Sequence, residues 1–557
     1  MSLFVKRVFF YAALWGGMGL SPFSPGLFAQ SIDAGSMDAG LLRELEQAPP
    51  DAYHEVFVLM KDRVSLESFV SSDLRARMPS PGRVSEMLQA LERKARTTQE
   101  PLQNWLRAQP GVDQEQLVSF WITNMLFVRA TRAVIADLSQ RPEVAWIEKN
   151  EELEVERTQA VASAPFVLPN GREPGLTTMN APGMWALGYT GYGRKILIVD
   201  SGQDAEHPAL RNQFAYNYAP QTSTYLSTAL SDYCDSHGTG VASAAVGMDP
   251  LTKDTIGVAF NAKWMGAPFS NLRSIDSGDF CEYKGTVRDV SYVLQWALNP
   301  DGNISTTSDM PDVINNSYGR KLSSTVECSQ VWPELFRALD AVGIAVVFAA
   351  GNDGPSASSV NLQAAISIND VTPFSVGAVN GNSGVMADFS GRGPSLCSNL
   401  LNPGYDIKPE VSAPGVNVRV ATTGRIAYEY VNGTSFAAPY VAGAILLLKE
   451  AFPGLPGREL ARALYHSAKD LGAPGEDNDS GKGLIDILAA YQYLVSKGNT
   501  PTPPTPSVAD VANLHSSPRL LNCGGRVYLE VTFRNEGTEV LRSVDIEIRR
   551  EFSSTPI

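Results

Sequence analysis

Histidine is scarce in this chain, with five residues in 557, so chemistry that needs a base near neutral pH has few places to occur. The five are His54, His207, His237, His466 and His515. Cysteine is equally sparse, at Cys234, Cys281, Cys328, Cys397 and Cys523. The first four allow two bridges in three alternative pairings, with Cys523 left odd. Positive charge is in deficit, 45 Lys and Arg against 59 Asp and Glu, giving a net charge of −14 and a pI near 5.0. That balance argues against nucleic acid as a partner and favours solubility. Long apolar runs are missing too. Val8 to Leu20 is interrupted by glycine and falls short of the roughly twenty residues that a spanning helix needs. Val342 to Ala350 and Val441 to Leu448 are shorter still. No transmembrane segment is expected. A G-x-S-x-G elbow with the order Ser, Asp, His is also absent, which excludes a lipase or esterase.

What is present is a serine set out for use. In GTSFAAPYVAG, Gly433 to Gly443, Gly433 lets another backbone approach, and Ser435 opens an apolar run, Phe436 to Leu448, suited to a buried helix. Pro439 is expected in the first turn of that helix, where a missing N–H matters least. A hydroxyl at a helix N-terminus sits at the positive end of the dipole, which suits a group that passes through an anionic state. Such a serine needs a base, and the base needs an orienting partner. His237 begins HGTGVAS, whose small residues fit a tightly packed helix; the other four histidines lie in strand, turn, amphipathic or tail settings that read as structural. Asp200 ends KILIVDSG, at the C-terminal end of a buried strand, where open α/β sheets place active groups. Asn352 follows the apolar strand Gly343 to Ala350 and offers an amide N–H₂ to an oxyanion.

In the order Asp200, His237, Asn352, Ser435, these segments resemble the subtilisin-like serine proteases, the subtilase or peptidase S8 family. Thr178 to Gly193, Gly257 to Pro268, Pro311 to Gly319, Phe389 to Pro394, Lys408 to Gly415 and Gly481 to Ala490 carry the resemblance through about residues 175 to 495. It implies an α/β fold, a mainly parallel sheet with helices on both faces. It implies a serine endopeptidase in which Asp200, His237 and Ser435 form the triad and Asn352 the oxyanion hole, with protein or peptide substrates lying along Ser317, Tyr318, Gly319, Ala350 and Gly351. No cofactor is required by that chemistry. Calcium is often bound in the family, but Ala209 in HPAL replaces a usual calcium-ligating aspartate, and Asp204 and Glu206 read as solvated turn carboxylates. Two further departures are Gly240, where the family usually has histidine, and Phe436, where methionine usually follows the nucleophile.

The rest of the chain divides around this domain. Residues 1–29 read as a signal peptide, Lys6 and Arg7 ahead of the apolar stretch, so the protein is expected to be secreted or extracytoplasmic, with periplasm or cell surface included. Residues 30–160 resemble the inhibitory propeptide of the family (I9-like), a ferredoxin-like unit. Its strands are expected at His54 to Lys61, Ser119 to Ala130 and Ala145 to Val155, with a helix over Val84 to Ala108. By the resemblance it serves as the intramolecular inhibitor of its own enzyme, its tail entering the site between Glu148 and Ala164. The catalytic domain spans 161–497, a Pro/Thr linker 498–507, and a partial β-sandwich 508–557, in which Arg526 to Arg549 alternates around an Asn-Glu-Gly turn. The alternative to a zymogen protease is an adhesion or binding protein on a protease scaffold.

Overall fold

A computed structural model describes residues 34–66, 69, 77–155, 159–160, 173–215, 236–249, 254–269, 284–321, 328–397, 404–423, 428–504, 514–523 and 526–535. The expected signal peptide, Cys234 and Cys281 lie outside the described residues.

The N-terminal unit follows helix α1 (Ala39–Gln47) with strand β1 (Tyr53–Met60), helix α2 (Pro81–Arg107), strands β2 (Val112–Phe120) and β3 (Met125–Thr131), helix α3 (Arg132–Ser139) and strand β4 (Val144–Lys149). The sheet order is β2-β3-β1-β4, antiparallel throughout. The stretch Ser119 to Ala130 is thus not one strand. It is broken at Trp121–Asn124, where Asn124 turns with φ 54° and fixes the turn by donating to Asp62 O (2.7 Å) and accepting from Gln99 Nε2 (2.8 Å). The expected final strand also divides. Its second part is strand β5 (Glu152–Val155), which leaves this sheet altogether.

At the end of β4 and in the step to β5, Glu148, Asn150 and Glu151 bond to the larger domain. Glu148 Oε2 accepts the N–H of Gln330 at 2.7 Å, Asn150 Oδ1 that of Arg288 at 3.0 Å, and the Glu151 carbonyl that of Val287 at 3.0 Å. These are unsatisfied donors at the starts of helices α5 (Val287–Ala297) and α6 (Val331–Ala341).

The larger domain is built on six parallel strands: β7 (Lys195–Asp200), β8 (Lys263–Pro268), β10 (Val313–Asn316), β12 (Ala345–Ala349), β13 (Phe374–Asn380) and β14 (Val411–Val416), ordered β8-β7-β10-β12-β13-β14. Runs such as ILIV and AVVFA are buried on both faces, as a parallel sheet covered by helices requires. Because the chain steps from β7 outward to β8 and then back across to β10, the crevice opens at the C-terminal ends of β7 and β10. Helices α4 (His237–Val246) and α7 (Thr434–Ala451) are buried along their whole length. Their contact is close: a Cβ on Gly443 would lie 3.0 Å from the carbonyl of Ala245.

Cys328 and Cys397 form a disulfide, joining the chain before α6 to the segment after Phe389–Pro394. At the C-terminal end, strands β17 (Leu514–Cys523) and β18 (Arg526–Asn535) pair antiparallel. Leu514–Cys523 was not legible as a strand, and the Asn-Glu-Gly turn lies beyond the described residues apart from its first residue. No helix among the described residues is long and apolar enough to cross a membrane.

Burial pushes the Glu148 carboxyl up to about 7. A raised carboxyl holds a proton that the unfolded chain has already released, so this residue's contribution to stability declines as pH rises from about 4.5 to about 7 and is level above that. Replacing Glu148 with Gln, in a Ser435→Ala background that precludes self-digestion, is expected to flatten the pH slope of the urea midpoint between pH 5 and 7. An unchanged slope would show that the proton is taken up elsewhere.

Candidate active site

Three loops converge at the crevice. Asp200, the last residue of β7, is fully buried; its Oδ1 accepts from the N–H of Ser201 at 2.7 Å and lies 2.7 Å from His237 Nδ1. His237 is the first residue of α4, so its ring projects from a helix that the core holds rigid. The close approach of the two segments demands glycine at 238, where a Cβ would lie 2.2 Å from the carbonyl of Gly202 and 3.1 Å from Asp200 Oδ1.

Ser435 is the second residue of α7 and is itself buried; its Oγ has no hydrogen-bond partner. Pro439 lies in the body of this helix, not in its first turn, because the helix begins at Thr434. The N–H that proline lacks is the one that would bond the carbonyl of Ser435. Ser317 takes its place: its Oγ donates to that carbonyl at 2.9 Å and accepts from Asn315 Nδ2 at 3.0 Å. The side chain of Ser317 therefore holds the residue carrying the hydroxyl, a role the motif alone did not disclose. A proline four residues after the serine is the sequence signal that some outside donor was needed.

Asn352 is fixed by its oxygen. Oδ1 accepts from both the N–H and the hydroxyl of Thr434, each at 3.0 Å, while Thr434 Oγ1 accepts the N–H of Gly351 at 3.1 Å. This turns the Nδ2 end toward Gly433, where a Cβ would stand 3.6 Å from it. Thr434 was missed in the sequence; its hydroxyl beside Ser435 was the available clue.

Tyr318 is completely buried, its ring against Phe269 and Phe348 and its hydroxyl donating to Asn316 Oδ1 at 2.9 Å, so only its backbone faces a peptide. Strand β11 (Tyr318–Gly319) pairs antiparallel with β5 of the N-terminal unit, Tyr318 opposite Val155 and Gly319 opposite Glu154. On its other edge β5 pairs with β9 (Lys284–Thr286). A second patch, β6 (Gln159–Ala160), pairs with β16 (Tyr428–Asn432), which leads straight into Gly433 and Ser435. The groove beside the serine is thus occupied by the chain's own backbone on both sides. Ala350 and Gly351 spend their backbone groups on Val376, Asn361, Thr434 and Gly391, leaving only their surfaces to line the groove.

Two of the remaining histidines are held by local partners. His54 Nδ1 meets Glu44 at 2.9 Å, and His207 Nδ1 accepts the N–H of Ala209 at 3.1 Å. Asp204, expected to be solvated, is buried instead: its Oδ1 accepts the N–H of Glu206 while its own N–H donates to Thr239 Oγ1, closing the turn ahead of α4. Glu206 is exposed. No group of three or more His, Cys, Asp or Glu able to hold a metal ion occurs among the described residues. Elsewhere in the domain, Arg419 is fully buried between Glu173 (3.0 Å) and Asp254, with its guanidinium over the ring of Tyr428.

Gly240 and Phe436 explain one another. A Cβ at 240 would lie 3.2 Å from Phe436 Cε1 and 3.1 Å from Val420 Cγ2, and the Phe436 ring packs 5.6 Å from the His237 ring, centroid to centroid. Gly240→His is expected to destabilise the protein by about 1–3 kcal/mol through overpacking, and Phe436→Met in the same chain to recover part of the loss. Additive losses in urea unfolding would show that the two positions are not coupled.

Residues 191–483 match the sequence profile described as the subtilase family. The chain is similar to bacillopeptidase F of Bacillus subtilis (strain 168), 28% identical over 446 residues, which covers 74% of this chain and 29% of that protein. It thus spans less than a third of that relative. Subtilisin E of the same organism is 30% identical over 359 residues, covering 64% of this chain and 78% of the relative. Subtilisin of Bacillus pumilus is 31% identical over 323 residues, covering 57% and 98% respectively. Among solved structures, fervidolysin from Fervidobacterium pennivorans, a keratinolytic enzyme related to subtilisin, matches with a TM-score of 0.53 at 19% identity, covering 87% of this chain and 68% of that one. That last likeness speaks to fold alone.

Proposed function

The chain belongs to the subtilase family of serine proteases, and from that premise we propose that it is a secreted endopeptidase made as a self-processing zymogen. The observation that carries the reading is the 2.7 Å contact between Asp200 Oδ1 and His237 Nδ1, built at the crevice where the buried helix presents Ser435.

In this reading His237 Nε2 takes the proton of Ser435 Oγ as that oxygen attacks a substrate carbonyl, and Asp200 holds the imidazole in the needed tautomer and stabilises its cation. With no hydrogen bond on Ser435 Oγ in the resting protein, the serine–histidine contact tightens when substrate binds, as resting catalytic contacts commonly do. The oxyanion is received by Asn352 Nδ2 and the backbone N–H of Ser435. His237 then protonates the leaving amine, and water, deprotonated by the same histidine, releases the acyl group. Substrate adds an antiparallel strand to β11 (Tyr318–Gly319), the mode that β5 already illustrates. The four side chains supply nucleophile, base, orienting carboxylate and oxyanion donor among themselves, so the steps draw on no cofactor. Residues 30–160 act as the intramolecular inhibitor, 161–497 as the protease, 498–507 as a linker and 508–557 as an accessory β module. Export by residues 1–29 places the enzyme outside the cytoplasm.

Ser435→Ala is expected to remove peptide hydrolysis and fluorophosphonate labelling while leaving the urea midpoint unchanged. The expected loss is on the order of 10⁶-fold in kcat, the scale known for subtilisin's own triad. Wild-type labelling in that variant would overturn the assignment. Asn352→Ala is expected to lower kcat about 10²- to 10³-fold, again the scale known for subtilisin, with KM little changed. A rise in KM at constant kcat would instead mark Asn352 as a ground-state contact.

A further inference from the structure

Asp200 carries both of its hydrogen bonds on one oxygen. Oδ1 meets the Ser201 N–H and His237 Nδ1, while Oδ2, also buried, has no hydrogen-bond partner. Three residues on, Gln203 is fully buried, and neither Oε1 nor Nε2 of its amide has a partner. Buried polar groups are nearly always matched, so an unmatched amide three residues from an unmatched carboxylate oxygen calls for a reason.

The two are neighbours in space as well. Gly202, with φ 110°, turns the chain after β7 back against the start of α4. The residue beyond the turn is pinned there, the Asp204 N–H donating to Thr239 Oγ1 at 2.9 Å. Gln203 lies between these fixed points. A Cβ on Gly238 would stand 3.1 Å from Gln203 Nε2 and 3.1 Å from Asp200 Oδ1, so the donor end of the amide and the carboxylate share the space that a glycine at 238 leaves open. Other groups around Asp200 are already committed. The Tyr318 phenol, kept protonated by burial and then by the Asp200 charge, spends its hydroxyl on Asn316 Oδ1 at 2.9 Å. The Asp204 carboxylate is an acceptor, and its Oδ1 takes the N–H of Glu206 at 3.0 Å.

We propose that Gln203 is a positioning residue for the triad: its amide N–H is the donor that Asp200 Oδ2 takes during turnover, fixing the carboxylate with Oδ1 toward His237. The proposal rests on the protease reading above. No hydrogen bond holds the amide elsewhere, so turning it about its side-chain bonds breaks none. The need is greatest when His237 has taken the Ser435 proton. Oδ1 is then drawn to the imidazolium, and Oδ2 carries its share of charge in a place that water does not reach. A fixed amide dipole supplies there what solvent supplies elsewhere. Without that donor the carboxylate keeps more of its charge for the imidazolium, which raises the pKa of His237.

The test expresses the full chain with Gln203→Met, which keeps length and volume but has no donor, and with Gln203→Glu, which donates only while protonated. Each protein is brought to constant activity, its reactive serines are counted with a fluorophosphonate, and kcat and KM per labelled serine are followed on one peptide from pH 6 to 9. For Gln203→Met the expected result is a kcat about tenfold lower, the scale of one hydrogen bond to a charged group, with KM unchanged. The acid limb of kcat/KM moves to higher pH by about half a unit. For Gln203→Glu the rate relative to wild type falls as pH rises, because the ionised carboxylate repels Asp200 where the amide donated. A Gln203→Met rate equal to wild type, or a lower rate with the acid limb unmoved, overturns the proposal and leaves the protease reading standing. If Gln203→Met yields no labelled serine, the Glu variant decides: a pH-independent ratio to wild type overturns the proposal, and a falling one supports it. A wild type that no fluorophosphonate labels overturns the protease reading, and the proposal with it.

Discussion

A helix buried on every side has nowhere to put an unmatched backbone group, and Pro439 creates one, at the carbonyl of Ser435. Ser317 Oγ fills that vacancy and is itself fed by Asn315, so the loop after strand β10 is bonded directly to the residue that carries the hydroxyl. Much of the site hangs from this contact. The same loop continues into Tyr318–Gly319, the edge to which β5 adds. Thr434, one residue before the serine, reaches the other way and holds Asn352 and Gly351. The residues proposed as nucleophile, amide donor and peptide-binding edge are therefore one hydrogen-bonded assembly on a helix buried along its whole length.

The positions of Asp200 and His237 were legible because each motif is short and each residue sits where its own segment ends or begins. KILIVDSG reads as a buried strand delivering Asp200 to the sheet edge, and the fold places it there. HGTGVAS reads as a tight helix, and the glycine at 238 is required by Gly202 and Asp200 at 2.2 and 3.1 Å from a hypothetical Cβ. What was not legible is whatever depends on partners far away in the chain. Arg419 lies 246 residues from Glu173 and 165 from Asp254, yet all three meet in one buried cluster. Nothing local to any of them announces an ion pair. Asp204 was misjudged for the same reason: a carboxylate in a turn is normally wet, but α4 folds over this one and Thr239 bonds its backbone.

The N-terminal unit shows how periodicity fails at breaks. Apolar residues run without pause through Trp121 and Ile122, so alternation alone cannot see the turn at Asn124; only the left-handed backbone there, with an asparagine to accept it, divides the strand. The second break, after Lys149, has a cause outside the unit. Asn150 and Glu151 follow the end of the strand and meet unsatisfied N–H groups at the start of helix α5, while Glu148, still in β4, reaches the start of α6 with its side chain. Secondary structure in this stretch is decided by an interface.

That interface gives a physical reason for the two units to be made as one chain. The starts of α5 and α6 expose donors that the larger domain satisfies only in part with its own residues: Thr286 and Asp289 form a capping box on α5, and Ser329 reaches the N–H groups of Val331 and Trp332 on α6. The N-terminal unit supplies further acceptors from the Glu148 carboxylate, the Asn150 amide and the Glu151 carbonyl. A covalent link raises the effective concentration of those acceptors far above anything a separate partner reaches. Glu148 belongs to this interface, and burial raises its carboxyl to about 7, so the stability that it contributes to the intact fold declines as pH rises toward neutral.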